Sequence, residues 1–140
     1  MVSIISFPVG ENELDNIQLT GTCLIVDDDP QVATAWESLL STWGVEVQCV
    51  ESGKEALEVI AKGFNPRGIL CDQRLRAGES GFDVLRALLD KCPAASGAMI
   101  SGEFNSPELK LAESEGYLVM HKPLEPNQLF KVLSSWLKAT

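Results

Sequence analysis

The chain has 140 residues, 45% of them hydrophobic, enough to bury one α/β core but not to build a second full domain. Its 20 acidic residues outweigh 11 basic ones, and the net charge of -9 argues against a nucleic-acid or anionic-membrane surface. No window reaches the roughly 18 unbroken apolar residues of a membrane span, and no basic segment precedes an apolar one at the N-terminus, so a soluble, cytoplasmic protein is expected.

Taken in chain order, Ser3-Ile4-Ile5-Ser6-Phe7-Pro8 reads as a short strand and the stretch from Gly10 to Asn16 as a polar, acidic linker. Residues 1–20 are therefore expected to be a linker or the tail of a preceding domain, and residues 21–139 the domain proper. Thr22 to Val26 is the first strand of that domain. Asp29 then caps a helix with Pro30 at its first position, Val32, Trp36, Leu39, Leu40 and Trp43 form its apolar stripe, and Gly44 closes it. Val45 to Val50 is a second strand, and Ser52-Gly53-Lys54-Glu55 is a capping box opening a helix that ends near Gly63. Gly68 to Cys71 is the third strand. A polar loop from Gln73 to Ser80 follows, and Phe82, Leu85, Leu88 and Leu89 mark a third helix.

Ala98 to Ile100 is a short fourth strand, Ser106-Pro107 starts a helix that closes at Gly116, and Tyr117 to Met120 is the fifth strand. Pro126 opens the last helix, whose Leu129, Val132, Leu133 and Trp136 repeat at core spacing; Phe130 and Leu137 flank that stripe, either as its edge or as a docking patch. Five strand and helix pairs in alternation predict a parallel sheet covered on both faces. Cys23, Cys49, Cys71 and Cys92 are scattered with no C-x-x-C pair and read as buried, reduced thiols. His121 is the only histidine, which excludes a zinc site built from several histidines and leaves one candidate for a histidine dyad.

The chemistry collects at strand ends. Leu24-Ile25-Val26 runs into Asp27-Asp28-Asp29, and Ile69-Leu70-Cys71 runs into Asp72. Open α/β sheets bind ligands outside the carboxyl ends of their strands. Carboxylates gathered there repel one another by about 4 kcal/mol per pair at ~4 Å and an effective dielectric near 20, so either some are protonated or a cation sits among them. Asp29, directly before Pro30, is assigned to the helix cap, which leaves Asp27 and Asp28 for the cation. Ser101 and Lys122 stand at or just past the ends of the fourth and fifth strands. Together these groups suit a phosphoryl transfer: a carboxylate nucleophile, a hard divalent cation held by oxygen, for which Mg2+ is the natural choice, and two donors for phosphoryl oxygens.

From residue 21 to residue 139 the sequence resembles the receiver domain of bacterial two-component response regulators. The resemblance rests on the acidic cluster after the first strand, Asp72 after the third, Ser101 after the fourth and Lys122-Pro123 after the fifth. It implies a flavodoxin-like (βα)5 doubly wound sheet with strand order 2-1-3-4-5 in a single domain, and a phosphoacceptor signalling domain rather than an enzyme. It also implies that Asp72 is phosphorylated from a phosphohistidine of a histidine kinase or histidine phosphotransfer partner. Asp28 would ligate Mg2+ directly, Asp27 through a water, and the backbone carbonyl of Arg74 would be a further ligand beside Asp72. Ser101 would hydrogen-bond a phosphoryl oxygen, Lys122 would pair with the phosphoryl group or with Asp72, and the Lys122-Pro123 bond would be cis. Ser3 to Pro8 with its acidic linker resembles the end of a kinase ATP-binding domain, which suggests the receiver of a hybrid histidine kinase.

Two points depart from that pattern or extend it. The position near the fifth strand that many receivers fill with an aromatic residue is Val119, and Tyr117 lies two residues too early to replace it. Arg74 and Glu103, each two residues beyond a site residue, either pair across the pocket and gate water or stand exposed and separate. The competing reading is a haloacid-dehalogenase-type phosphatase with Asp27-x-Asp29 as its opening motif. It leaves Asp72 unused and finds no acidic pair after Lys122.

Overall fold

The computed structural model describes residues 18–75 and 78–139. The strand expected at residues 3–8 and the linker at 10–16 lie outside the described residues. The main sheet has five strands, β2 (Thr22–Val26), β3 (Glu46–Val50), β4 (Gly68–Asp72), β5 (Ser96–Ser101) and β6 (Leu118–His121), in the order β3-β2-β4-β5-β6. Every neighbouring pair is parallel. Counted within this sheet the order is 2-1-3-4-5, as expected for a doubly wound, flavodoxin-like fold.

Helices α1 (Pro30–Thr42) and α5 (Pro126–Trp136) cover one face, and α2 (Gly53–Ala61), α3 (Gly81–Lys91) and α4 (Pro107–Ser114) cover the other. Successive residues of a strand point to opposite faces. Cys23 and Ile25 accordingly join Leu40, Leu129 and Leu133 in one cluster, while Leu24 and Val26 join Ala56, Leu85 and Leu109 in the second. The same rule explains two sequence patterns. Central strand β4 is buried on both faces and reads as an unbroken apolar run, whereas β3, at the sheet edge, alternates.

The caps form where the sequence places them. Asp29 Oδ1 accepts the Gln31 N–H at 3.0 Å, and Ser52 Oγ accepts the Glu55 N–H at 3.1 Å. The return bond of the capping box is offset by one residue, with Glu55 Oε1 accepting from Glu51 N at 3.0 Å.

The small second sheet was not legible in the sequence. A two-stranded antiparallel sheet pairs β1 (Leu19–Thr20) with β7 (Lys138–Ala139), tying the two ends of the described chain together. Two-residue strands carry no periodicity to read. Leu19 is anchored by its N–H to Trp43 O at 2.7 Å, beside Gly44, whose φ of 88° brings its backbone against Leu19 O. Phe130 and Leu137 are core residues and not a docking patch: both are buried, and the Phe130 ring meets Trp43 edge-on at 4.9 Å.

Gly81, the first residue of α3, sits against the strand end that carries Asp72. A Cβ there would lie 2.0 Å from Asp72 O and 2.7 Å from Gln73 Cα, both backbone atoms that cannot swing aside. Gly81 N also donates to Gln73 O at 2.7 Å. Gly53 at the start of α2 is crowded only by side chains, Val84 and Glu79. We therefore expect Gly81→Ala to destabilise the fold by about 3 kcal/mol and Gly53→Ala by about 1 kcal/mol, read from urea unfolding midpoints at constant slope. Equal midpoints for the two variants would contradict the close approach at Gly81.

Candidate functional site

Four parallel strands end at one edge of the sheet, and each delivers a polar residue there. Asp27 and Asp28 follow β2, Asp72 ends β4, Ser101 ends β5 and Lys122 follows β6. The backbone fixes these ends before any side chain acts: Asp27 N donates to Val50 O at 3.0 Å, and Lys122 N donates to Ser101 O at 2.8 Å. One carboxylate oxygen from each of Asp27, Asp28 and Asp72 lies within 4.8 Å of the others. Lys122 Nζ stands 3.3 Å from Asp72 Oδ1, and the Lys122-Pro123 bond is cis.

Asp27 is the most enclosed of the three. Burial pushes its carboxyl above the ordinary value of 3.8, and the negative charges of Asp72 and Asp28 push the same way. An accepted hydrogen bond from Asp29 N, at 2.9 Å, and the charge of Lys122 act in the opposite direction. Asp29 turns instead to its helix cap, so the acidic run divides between cap and cluster as its sequence suggests. The set of oxygen donors fits a hard divalent cation, which would relieve the part of the upward push on Asp27 that comes from Asp72 and Asp28.

The Ser101 hydroxyl is fully buried and occupied within the protein. It donates to Gln73 Oε1 and accepts the Glu103 N–H at 2.9 Å. Gln73 is itself buried, and its Nε2 donates to Ser106 Oγ at 3.3 Å. Ser106 is the N-cap of α4, accepting from Glu108 N at 3.1 Å. Nothing local in the sequence singles out Gln73, which reads as the first residue of a polar loop. Its position one past Asp72, the last residue of a strand, and so on the opposite side of the chain, is the signal that was available.

At the mouth of the site the Arg74 guanidinium pairs with the Glu103 carboxylate, joining the β4–α3 and β5–α4 loops. That hydrogen bond holds the Glu103 carboxyl below the usual carboxylate range. Below it, Ser80 Oγ donates to Glu108 Oε2 at 2.6 Å, linking the N-termini of α3 and α4. His121 makes no dyad: its Nδ1 lies 3.0 Å from Glu103 O and its ring stacks on Phe104 at 4.5 Å. Tyr117 packs edge-on against Phe82, and Val119 is half-buried in the α2–α4 cluster, so the aromatic residue absent from the sequence position is not supplied from there. All four cysteines are free; burial pushes the Cys49 thiol up to about 11 and raises the other three as well.

This architecture recurs among known proteins. Residues 23–134 match the family described as response regulator receiver domain. A CheY-like response regulator receiver domain protein from Methanospirillum hungatei is 23% identical, with 82% of this chain and 91% of that chain covered and a TM-score of 0.74. Chemotaxis protein CheY4 from Vibrio cholerae is 26% identical over 84% of this chain and 99% of that chain, with a TM-score of 0.72. NtrX from Brucella abortus is 25% identical over 82% of this chain but only 26% of its own length, with a TM-score of 0.73. No curated protein matches the chain. The family match runs from the start of β2 into the last turns of α5, across the whole doubly wound unit and every strand end that bears a site residue, and the chain therefore belongs to the response regulator receiver domain family.

Proposed function

We propose that this domain is the phosphoacceptor of a two-component phosphorelay, with Asp72 receiving the phosphoryl group from a phosphohistidine of a histidine kinase or histidine phosphotransfer partner. The observation that carries the reading is the 3.3 Å approach of Lys122 Nζ to Asp72 Oδ1 inside a cluster of three carboxylates. Lysine and aspartate mark the point where a phosphoryl group would be both attacked and neutralised. An Asp72 oxygen attacks phosphorus in line as the nitrogen–phosphorus bond breaks, and the electron pair returns to the donor imidazole, which takes up a proton from water. Lys122 then pairs with a phosphoryl oxygen, and Ser101 offers its hydroxyl to another.

Asp27, Asp28, Asp72 and the backbone carbonyl of Arg74 are the groups that would hold Mg2+. When bound, the ion supplies positive charge against the phosphoryl oxygens. Water attacking phosphorus resets the acyl phosphate, and the exposed Arg74–Glu103 pair, two residues beyond Asp72 and Ser101, is the proposed gate for that water. The receiver unit is residues 21–139. We read residues 1–20 as a linker or the tail of a preceding domain, as in a hybrid histidine kinase; of these, Leu19–Thr20 pair with the end of the unit. A receiver carried in a longer chain has a counterpart in NtrX, of which this chain matches 26%. A phosphatase using Asp27 is disfavoured by its enclosure and by Lys122 being paired to Asp72.

Incubation with acetyl phosphate and Mg2+ is expected to label the protein on a carboxylate, and Asp72→Asn should lower that acid-labile signal by at least about 100-fold. Undiminished labelling, mapped to Asp27 by mass spectrometry, would establish the phosphatase reading instead.

The raised Asp27 carboxyl makes a second test. A carboxyl whose folded value lies above its unfolded one contributes stability below the ordinary 3.8 that is lost as pH rises through the raised value. At neutral pH the metal-free protein therefore carries a destabilising charge. Asp27→Asn, which keeps the oxygen accepting from Asp29 N, should raise the metal-free Tm at pH 7 by a few degrees, on the order of 1 kcal/mol. Wild type should gain about 1.4 kcal/mol from Mg2+ at ten times its Kd, and the variant much less. A wild-type Tm indifferent to Mg2+ would remove the metal from this reading.

A further inference from the structure

The proposed engagement of Ser101 with a phosphoryl oxygen meets an obstacle within the protein. A serine hydroxyl has one proton to donate. Here that proton goes to Gln73 Oε1, and the second contact in range, Glu103 O at 3.3 Å, is also internal. Ser101 cannot donate to a phosphoryl oxygen without releasing Gln73. Gln73 is 2% exposed, so its released carbonyl oxygen has no water to turn to and the side chain must shift. The other end of the same amide holds Ser106 Oγ at 3.3 Å, at the N-cap of α4. A planar amide cannot move one end alone.

The geometry points to Gln73 as a positioning residue that holds the Ser101 hydroxyl away from the phosphoryl site and passes its release on to the N-terminus of α4 through Ser106. This inference rests on the phosphoacceptor reading and deepens it by naming how occupancy of the site is felt at a helix. It also accounts for the departure at Val119. The residue before Lys122 by three positions is a half-buried aliphatic with no polar group to exchange, whereas the amide of Gln73, just past β4, connects strand β5 and helix α4 in one chain of hydrogen bonds. Glu108 extends that chain, since its N–H is held by Ser106 and its carboxylate accepts from Ser80 at the start of α3. Two helix N-termini thereby share the link.

The test is a beryllofluoride and Mg2+ titration of the full 140-residue chain followed by amide resonances, beside the variant Gln73→Met, which keeps the volume and removes both hydrogen bonds. In wild type the Ser106 and Glu108 amides and the Gln73 side-chain NH2 should shift with the same midpoint as Asp72 and Ser101. In Gln73→Met, Asp72 and Ser101 should still respond, the Ser106 and Glu108 amides should not, and binding should tighten by about threefold to tenfold because the competing acceptor for the hydroxyl is gone. A role in packing alone would leave the coupling between the two sets of resonances intact. Asp72 and Ser101 shifting in wild type while Ser106, Glu108 and the Gln73 NH2 stay fixed would overturn the relay and leave the phosphoacceptor reading standing, and this arm needs no variant to fold. An unchanged α4 response in Gln73→Met would overturn it equally. No response at Asp72 in wild type would overturn the phosphoacceptor reading, and the relay with it.

Discussion

Everything at the functional edge follows from three carboxylates held within 4.8 Å of one another by a sheet that cannot let them part. Parallel strands β2 and β4 are adjacent and buried on both faces, so the backbones that end in Asp27, Asp28 and Asp72 are fixed by apolar packing and by their ladder hydrogen bonds. The core outweighs the repulsion because a single fully buried leucine contributes about 1.5–3 kcal/mol, and Leu24 and Leu70 are fully buried on the two strands that carry the carboxylates. Crowded in this way, the carboxylates call for positive charge. Lys122 provides one such charge from the end of β6, two strands away from β4, and the remaining excess is what a divalent cation would relieve.

Rigidity at this edge comes from close backbone contact as well as from packing. Gly81 brings the first turn of α3 against the carbonyl of Asp72, and Gln73 is held by its own N–H on Ile100 and its C=O on Gly81. Asp72 therefore sits between two fixed backbones. What stays adjustable are side chains with alternative partners: the Ser101 hydroxyl, the Gln73 amide between two serines, and the Arg74–Glu103 pair across the mouth. A stiff frame with a few exchangeable hydrogen bonds is consistent with a receiver domain, a signalling module and not a classical enzyme.

Much of this was readable in order along the chain. Apolar runs ending in Asp28, Asp72, Ser101 and next to Lys122 lie on strands that end at one edge, because alternating strand and helix patterns leave few topologies for a parallel sheet. The caps at Asp29, Ser52 and Ser106 were equally local, since a side chain satisfying the next turn's N–H needs no distant partner. Gln73 was not readable, because its partners Ser101 and Ser106 are 28 and 33 residues away. The pairing of Arg74 with Glu103 stood undecided for the same reason, as did Phe130, whose burial depends on Trp43 in another helix's cap.

The amino-acid sequence by itself determined the alternation of strands and helices, the division of Asp27, Asp28 and Asp29 between site and cap, and the family resemblance, because each depends on periodicity or on neighbours a few residues apart. Only the tertiary structure decided that Lys122 meets Asp72, that the Ser101 hydroxyl is taken by Gln73, and that Leu19–Thr20 pairs with Lys138–Ala139. Those contacts join strand ends, loops and termini far apart in the chain, and their existence depends on ångström distances that the fold sets and no local pattern encodes.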